Sequence, residues 1–195
     1  MQYNQAKDIA VKILKALQPF CRQVDIAGSI RREKPEVKDI EICLIPRITE
    51  IKDLFGEILN FKRSNEFVRS VKMQGVILKG DVLTGRYVQI ALHEGINLDL
   101  FIPVETDYFR QYAIRTGSAM YSHKVLANAW LRIGWAGTEN GLRRQSESYQ
   151  QDLGNGKHRW ICNALTPTLP PIFKNEYDLF QFLNLKWIEP KHRTV

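Results

Sequence analysis

No apolar run in this chain approaches the roughly 18 residues that a membrane-spanning helix needs, so no membrane partner is expected. The opening residues, MQYNQAKDIA, lack the apolar core and small-residue cleavage site of a secretory leader, and the expected location is cytoplasmic. Cysteine is scarce. Cys21, Cys43 and Cys162 are odd in number and have no metal-ligand spacing, which argues against a disulfide framework or a zinc site and for reduced thiols. There is no internal repeat, heptad series or low-complexity tract, so solenoids and coiled coils are excluded, and the one proline-punctuated passage, TPTLPP at 166–171, reads as a connector. Acidic charge is in the minority, 21 Asp and Glu against 28 Lys and Arg, for a net +7 spread over both halves. That balance favours a polyanionic partner, although charge alone fits a merely soluble basic protein equally well.

What is present is a globular chain of 195 residues, 44% hydrophobic, long enough for a packed core. Ala6, Ile9, Ala10, Ile13, Leu14 and Leu17 recur at helical spacing behind Asn4, a candidate N-cap, and Pro19 ends the element. Residues 24–27 predict a short strand and 40–45 a second one. Ile51, Leu54, Phe55, Ile58 and Leu59 form another helical stripe, expected to cover the sheet. From 68 to 103 the runs VKMQGVIL, RYVQIAL and NLDLFIP predict strands of a mixed or antiparallel sheet. A helix over 119–131, short strands near Leu142 and at 160–162, and a last helix over 177–185 complete the expectation of an α+β fold.

The densest chemistry lies at 27–45, AGSIRREKPEVKDIEICLI. Asp39 and Glu41 stand at i and i+2 of a strand, hence on one face, while Ile40 turns inward. Two anions crowded on a mostly buried strand need a cation between them, and hard oxygen ligands suit Mg²⁺ better than zinc. A third carboxylate, Asp99, occupies a similar apolar setting in NLDLFIP. Three such acids on two strands can hold a pair of divalent ions that activate an attacking oxygen and clamp a phosphoryl group. Gly28 and Ser29 predict a tight turn in which phosphate can approach the backbone. Taken singly, Gly-Ser is an ordinary turn and Asp-x-Glu an ordinary solvated strand edge.

Gly28-Ser29 followed across residues 30–38 by Asp-x-Glu resembles the signature of the DNA polymerase beta-like nucleotidyltransferase superfamily. Two further segments are similar to family X DNA polymerases within it: TGSAMYSHKVLANAWLRIGW at 116–135 and NEYDLFQFLNLKWIEPKHR at 175–193. The resemblance implies a polymerase beta-like palm at 1–105 and a small C-terminal, thumb-like nucleotide-side lobe at 106–195. With so little chain before Gly28, it implies the compact form without lyase and helix-hairpin-helix domains, and so no deoxyribose-phosphate lyase activity.

By the same resemblance, Asp39, Glu41 and Asp99 are the catalytic acids and ligands of two Mg²⁺ ions, with Mn²⁺ a possible substitute, and Asp99 also accepts the proton of a 3′-hydroxyl. Gly28, Ser29 and Arg32 are implied to hold the triphosphate, Arg32 through its planar fork. Thr116, Gly117 and Ser118 would lie under the nucleotide sugar, with Tyr121 near the base. Four residues depart from the family pattern. Glu41 replaces an Asp, Lys38 replaces a Gly and is a further candidate phosphate contact, and Ile114-Arg115 replaces an aromatic pair, which implies weak sugar selection. Lys72, Lys79, Arg143 and Arg144 are candidate DNA phosphate contacts, and each alone reads as a solvated charge. Trp135 and Trp160 are read first as packing residues and second as stacking surfaces.

The expected activity is therefore Mg²⁺-dependent transfer of dNMP from a dNTP to a 3′-hydroxyl of gapped or nicked DNA, with release of pyrophosphate, by a monomer in short-gap repair. Two alternatives stay open: a template-independent nucleotidyltransferase acting on RNA ends, a protein or a small-molecule hydroxyl, and a nucleic-acid-binding module without turnover.

Overall fold

The structure, a computed structural model, describes residues 1–194. The architecture is mixed α+β, in two compact units, Met1–Pro103 and Val104–Val195.

In the first unit, α1 (Tyr3–Leu17) starts from Gln2 rather than from Asn4, and its buried stripe of Ala6, Ile9, Ala10, Ile13 and Leu17 follows the helical period. After β1 (Cys21–Ile26) and the one-turn α2 (Gly28–Arg31) the chain enters β2 (Asp39–Pro46). The helix expected around 51–59 is instead a two-stranded hairpin, β3 (Ile48–Lys52) with β4 (Ile58–Arg63). Asp53 Oδ1 accepts the amides of Phe55 and Glu57 at its tip, and Gly56 takes a φ of 85°. The apolar spacing there is not a burial pattern, since Leu54 and Phe55 are 100% and 91% exposed.

A helix not foreseen, α3 (Asn65–Lys72), follows, capped by Ser64 Oγ accepting from the Phe67 amide and burying Phe67 and Val71 one turn apart. Then come β5 (Gly75–Gly80), β6 (Tyr87–Leu92) and β7 (Asn97–Phe101). The five-stranded sheet runs β1-β2-β7-β6-β5, with β2 and β7 parallel and the other neighbours antiparallel. Ile40, Ile42, Leu98, Leu100, Val88 and Ile90, all buried, face a core shared with α1 and α3. The alternate residues of the same strands face the other way. The thiols of Cys21 and Cys43 are buried, and burial pushes the Cys21 thiol up to about 12, which makes it inert.

The second unit begins with α4 (Tyr108–Thr116), also not foreseen, then α5 (Ala119–Tyr121), a π-helical stretch (Ser122–Ala127) and α6 (Asn128–Arg132). Strands β8 (Trp135–Thr138), β9 (Gly141–Arg144), β10 (Ser148–Asp152) and β11 (His158–Cys162) form a sheet of order β10-β11-β8-β9. The final helix is α7 (Glu176–Phe182), capped by Asn175. Its core gathers Tyr121, Trp130, Trp135, Leu142, Phe173 and Phe180 with smaller apolar residues. Inside it the Asp107 carboxylate takes two bonds of 2.6 Å from the Arg110 guanidinium, which also donates to the Thr138 carbonyl at 3.1 Å. No helix among the described residues is long and apolar enough to cross a membrane.

Candidate active site

Register decides where the acids stand. Glu41 lies directly opposite Asp99 across the parallel β2–β7 pair, Asp99 opposite Gln89 on β6, and Gln89 opposite Lys79 on β5. Residues opposite one another share a sheet face, so Glu41, Asp99, Gln89 and Lys79 form a polar row across four strands, with Asp39 beside it on the same face. This face is the one turned away from the apolar core.

Asp99 is fixed by two neighbours that sequence reasoning did not single out. Its Oδ1 accepts a hydrogen bond from the Tyr87 hydroxyl at 2.9 Å and from Gln89 Nε2 at 3.0 Å. The signal was present in RYVQIAL, where Tyr87 and Gln89 alternate with buried Val88 and Ile90, but only the β6–β7 register shows that they reach an acid. The Lys79 ammonium sits 6.0 Å from the centre of the Tyr87 ring, at the margin of this cluster.

Burial raises the pKa of Asp39 above the ordinary carboxylate value, and the charge of Asp99 adds to the rise; Lys38 and Arg32 oppose it. Arg32, at the end of α2, is lowered by burial and supported by Glu41 and Asp39, so the guanidinium and both carboxylates share one electrostatic environment. A cleft of about 720 Å³ is lined by Ser29, Arg32, Lys34, Lys38, Asp39 and Glu41 among others. The Ser29 hydroxyl is buried on its wall and has no hydrogen-bond partner among the described residues.

Gly28 is the hinge of this arrangement. Its φ is 62°, and a Cβ placed on it would lie 1.9 Å from Glu41 Oε2 and 2.7 Å from its carboxyl carbon. The Glu41 carboxylate therefore occupies the space a side chain would fill. Gly28→Ala is expected to add about 1–2 kcal/mol of backbone strain and to turn Glu41 aside. For a chain that transfers nucleotides, the expected result is at least a tenfold loss of that activity, out of proportion to a modest drop in Tm. Unchanged turnover in the alanine variant would remove Gly28 and Glu41 from the site.

Carboxylate oxygens such as those of Asp39, Glu41 and Asp99 are hard donors of the kind that suit Mg²⁺ or Mn²⁺. A cation beside Asp39 would oppose the rise in its pKa, and the buried Ser29 hydroxyl has a donor to give to an anion. The side chains as they stand do not close on a common point. Among the described residues no three of His, Cys, Asp and Glu form a metal-holding group, because Glu41 leans over Gly28 while Asp99 is drawn to Tyr87 and Gln89.

The remaining candidates are distributed as follows. Lys72 is in the last turn of α3, the helix that packs on the core side of the sheet, away from the acids. In the second unit Thr116 is fully buried, and Gly117 is the point at which α4 ends. Ser118 Oγ accepts from the Tyr121 amide at 3.1 Å, so the Thr-Gly-Ser turn is a helix–helix junction. A Cβ on Gly117 would meet the Tyr121 ring at 2.7 Å, and that ring, 2% exposed, is part of the core and offers no face to a base. The Arg144 guanidinium lies over the Trp135 ring at 4.3 Å, and Arg143 Nη1 donates to the Leu142 carbonyl at 2.7 Å. In comparisons with known proteins, no family model and no curated protein matches the chain.

Proposed function

We propose that the chain is a nucleotidyltransferase of the DNA polymerase type, moving dNMP from a dNTP to the 3′-hydroxyl of gapped or nicked DNA. The observation that carries this reading is the β2–β7 register, which sets Glu41 opposite Asp99 with Asp39 on the same face, beside the cleft of Ser29 and Arg32. The resemblance of 27–45, 116–135 and 175–193 to family X polymerases supplies the substrate class.

In this reading the Arg32 guanidinium and the Ser29 hydroxyl bind non-bridging phosphate oxygens, one as a charged fork and the other as a buried donor with no competing partner. Asp99 Oδ1 is committed to Tyr87 and Gln89, which orients the carboxylate and leaves Oδ2 to take the proton of the attacking hydroxyl. Asp39, Glu41 and Asp99 would hold Mg²⁺ as a pair of ions, or Mn²⁺ in its place, which supplies neutralisation of the phosphoryl charge. Lys79, at the edge of the same face, is assigned to a DNA phosphate, and so are Arg143 and Arg144 of the second unit. The enzyme so described works as a cytoplasmic monomer.

The test is incubation with a labelled gapped duplex, Mg²⁺ or Mn²⁺, and each dNTP and NTP. Templated dNMP addition with pyrophosphate release is expected, and binding to the duplex should weaken with salt at a log–log slope of about 0.9 per phosphate contact. Label transfer to an RNA end, a protein or a small-molecule hydroxyl, with flat salt dependence, would replace this reading by a template-independent transferase.

A further inference from the structure

The second unit holds a cavity of about 650 Å³ that the acid site does not use, lined by Thr138, Arg143, His158, Trp160, Cys162 and Pro167 among others. Its floor is a sheet face. Trp160 is opposite Thr138 across the parallel β11–β8 pair, and Arg143 is opposite Ala136 across β8–β9. Alternation then places Trp160, Thr138 and Arg143 on one face, and Leu142 and Trp135, which belong to the core, on the other. Trp160 is therefore turned away from the core that Trp130 and Trp135 help to build. Among the described residues no aromatic ring or cation is stacked on it, in contrast to Trp135 beneath Arg144 and Trp187 beneath Arg193.

Glu147 accepts both the amide and the hydroxyl of Thr168, which pins the proline-punctuated connector beside Pro167, itself a lining residue. The charged groups of the lining are weighted to cations, since the guanidinium groups of Arg143 and Arg159 face the single carboxylate of Glu139. Among the described residues the Arg143 side chain makes one hydrogen bond, to the Leu142 carbonyl, which uses a single donor of the five in its fork, and its charge is felt by the exposed Glu147 carboxylate. An open aromatic face beside a guanidinium, in a cavity of the size that takes small ligands, suits a flat ring that carries an anion.

We infer that this cavity takes one unpaired nucleotide, its base on the Trp160 ring and its phosphate on the Arg143 guanidinium. A base-paired nucleotide presents no free face to a tryptophan, so duplex DNA does not satisfy the site and single-stranded nucleic acid does. The inference holds whether or not the acids of the first unit transfer nucleotides, because binding requires neither metal nor triphosphate.

The test is fluorescence anisotropy of a short labelled oligothymidylate with the full chain, without divalent metal, against an abasic oligomer of equal charge. The thymidylate is expected to bind about tenfold or more tightly than the abasic strand. Trp160→Ala should remove that difference, while Trp160→Phe, which keeps an aromatic face, should retain most of it. Arg143→Gln should weaken binding and reduce the salt slope by about 0.7. Competition by thymidine 3′,5′-bisphosphate identifies a free nucleotide as sufficient occupant; its failure, with oligomer binding intact, identifies the strand. Equal binding of abasic and thymidylate strands, or Trp160→Ala or Arg143→Gln binding as the wild type does, overturns the assignment.

Discussion

Asp39→Asn is expected to lose nucleotidyl transfer by roughly 10²-fold or more while melting at a higher temperature than the wild-type chain at neutral pH. The two effects have one cause. Burial and the neighbouring Asp99 charge raise the pKa of Asp39, so ionising this carboxyl group costs more in the folded chain than in the unfolded one. For a carboxyl group raised on folding, the protonated form's contribution is fully present below the unfolded value of about 3.9 and is lost as pH rises through the higher folded value. Asparagine imitates the protonated state at every pH. Its advantage in Tm should therefore be absent at strongly acidic pH, appear as the pH passes through the folded pKa, and persist above it.

The same charge that weakens the fold is what a divalent cation would relieve. Mg²⁺ or Mn²⁺ should raise the Tm of the wild type, since a ligand that binds only the folded state stabilises it by mass action, and should raise that of D39N much less. Calorimetry across pH with and without metal, alongside single-nucleotide incorporation, measures all of this. Near-normal incorporation by D39N, or a Tm advantage of equal size at every pH, would sink the assignment of Asp39 to the site.

What was legible in the sequence followed from local periods. The α1 stripe, the alternation around Asp39-Ile40-Glu41 and the buried flanks of Asp99 are each set within a few residues, and the elements appear where those patterns place them. What was not legible depended on partners distant in the chain. Tyr87 and Gln89 become supports of Asp99 only through the β6–β7 pairing, and Lys79 joins the row only through β5–β6.

The β3–β4 hairpin departs from the helical expectation for a different reason. Ile51, Leu54, Phe55, Ile58 and Leu59 satisfy a helical period by chance, with nothing packed on them to make the period meaningful, while the turn chemistry of Asp53 and Gly56 between them was the stronger signal. Helix α3 announced itself by Ser64, an N-cap three residues ahead of buried Phe67, and was obscured by the strand-like run that follows it. Tyr121 shows a limit of carrying roles over from a resemblance. Its position in the motif suggested a base contact, whereas close packing on Gly117 makes it a core residue of the junction.

That junction is tied to the C-terminal segment through a buried charge, and Glu176→Ala is expected to lower the stability of the second unit by roughly 3–5 kcal/mol. Arg193 is 0% exposed. Its Nη1 meets Glu176 Oε1 at 2.7 Å, its Nε donates to the Ile188 carbonyl at 2.9 Å, and its guanidinium lies 4.7 Å from the centres of both the Phe180 and Trp187 rings. The rings supply packing and a modest cation–π attraction, but the carboxylate is what compensates the charge in a site closed to water. Without it the guanidinium must leave the core, and the Arg193 carbonyl, which accepts the Ser118 amide at 3.0 Å, moves with it. Loss of hydrogen-exchange protection at the Ser118 amide should therefore accompany the fall in Tm. A Glu176→Leu, Arg193→Met double substitution removes both charges and keeps the volume, so it should cost much less than the sum of the two single changes. An E176A chain within about 1 kcal/mol of wild type, or additive behaviour in the double variant, would mean that Arg193 is held by its rings and backbone contacts instead of by the ion pair.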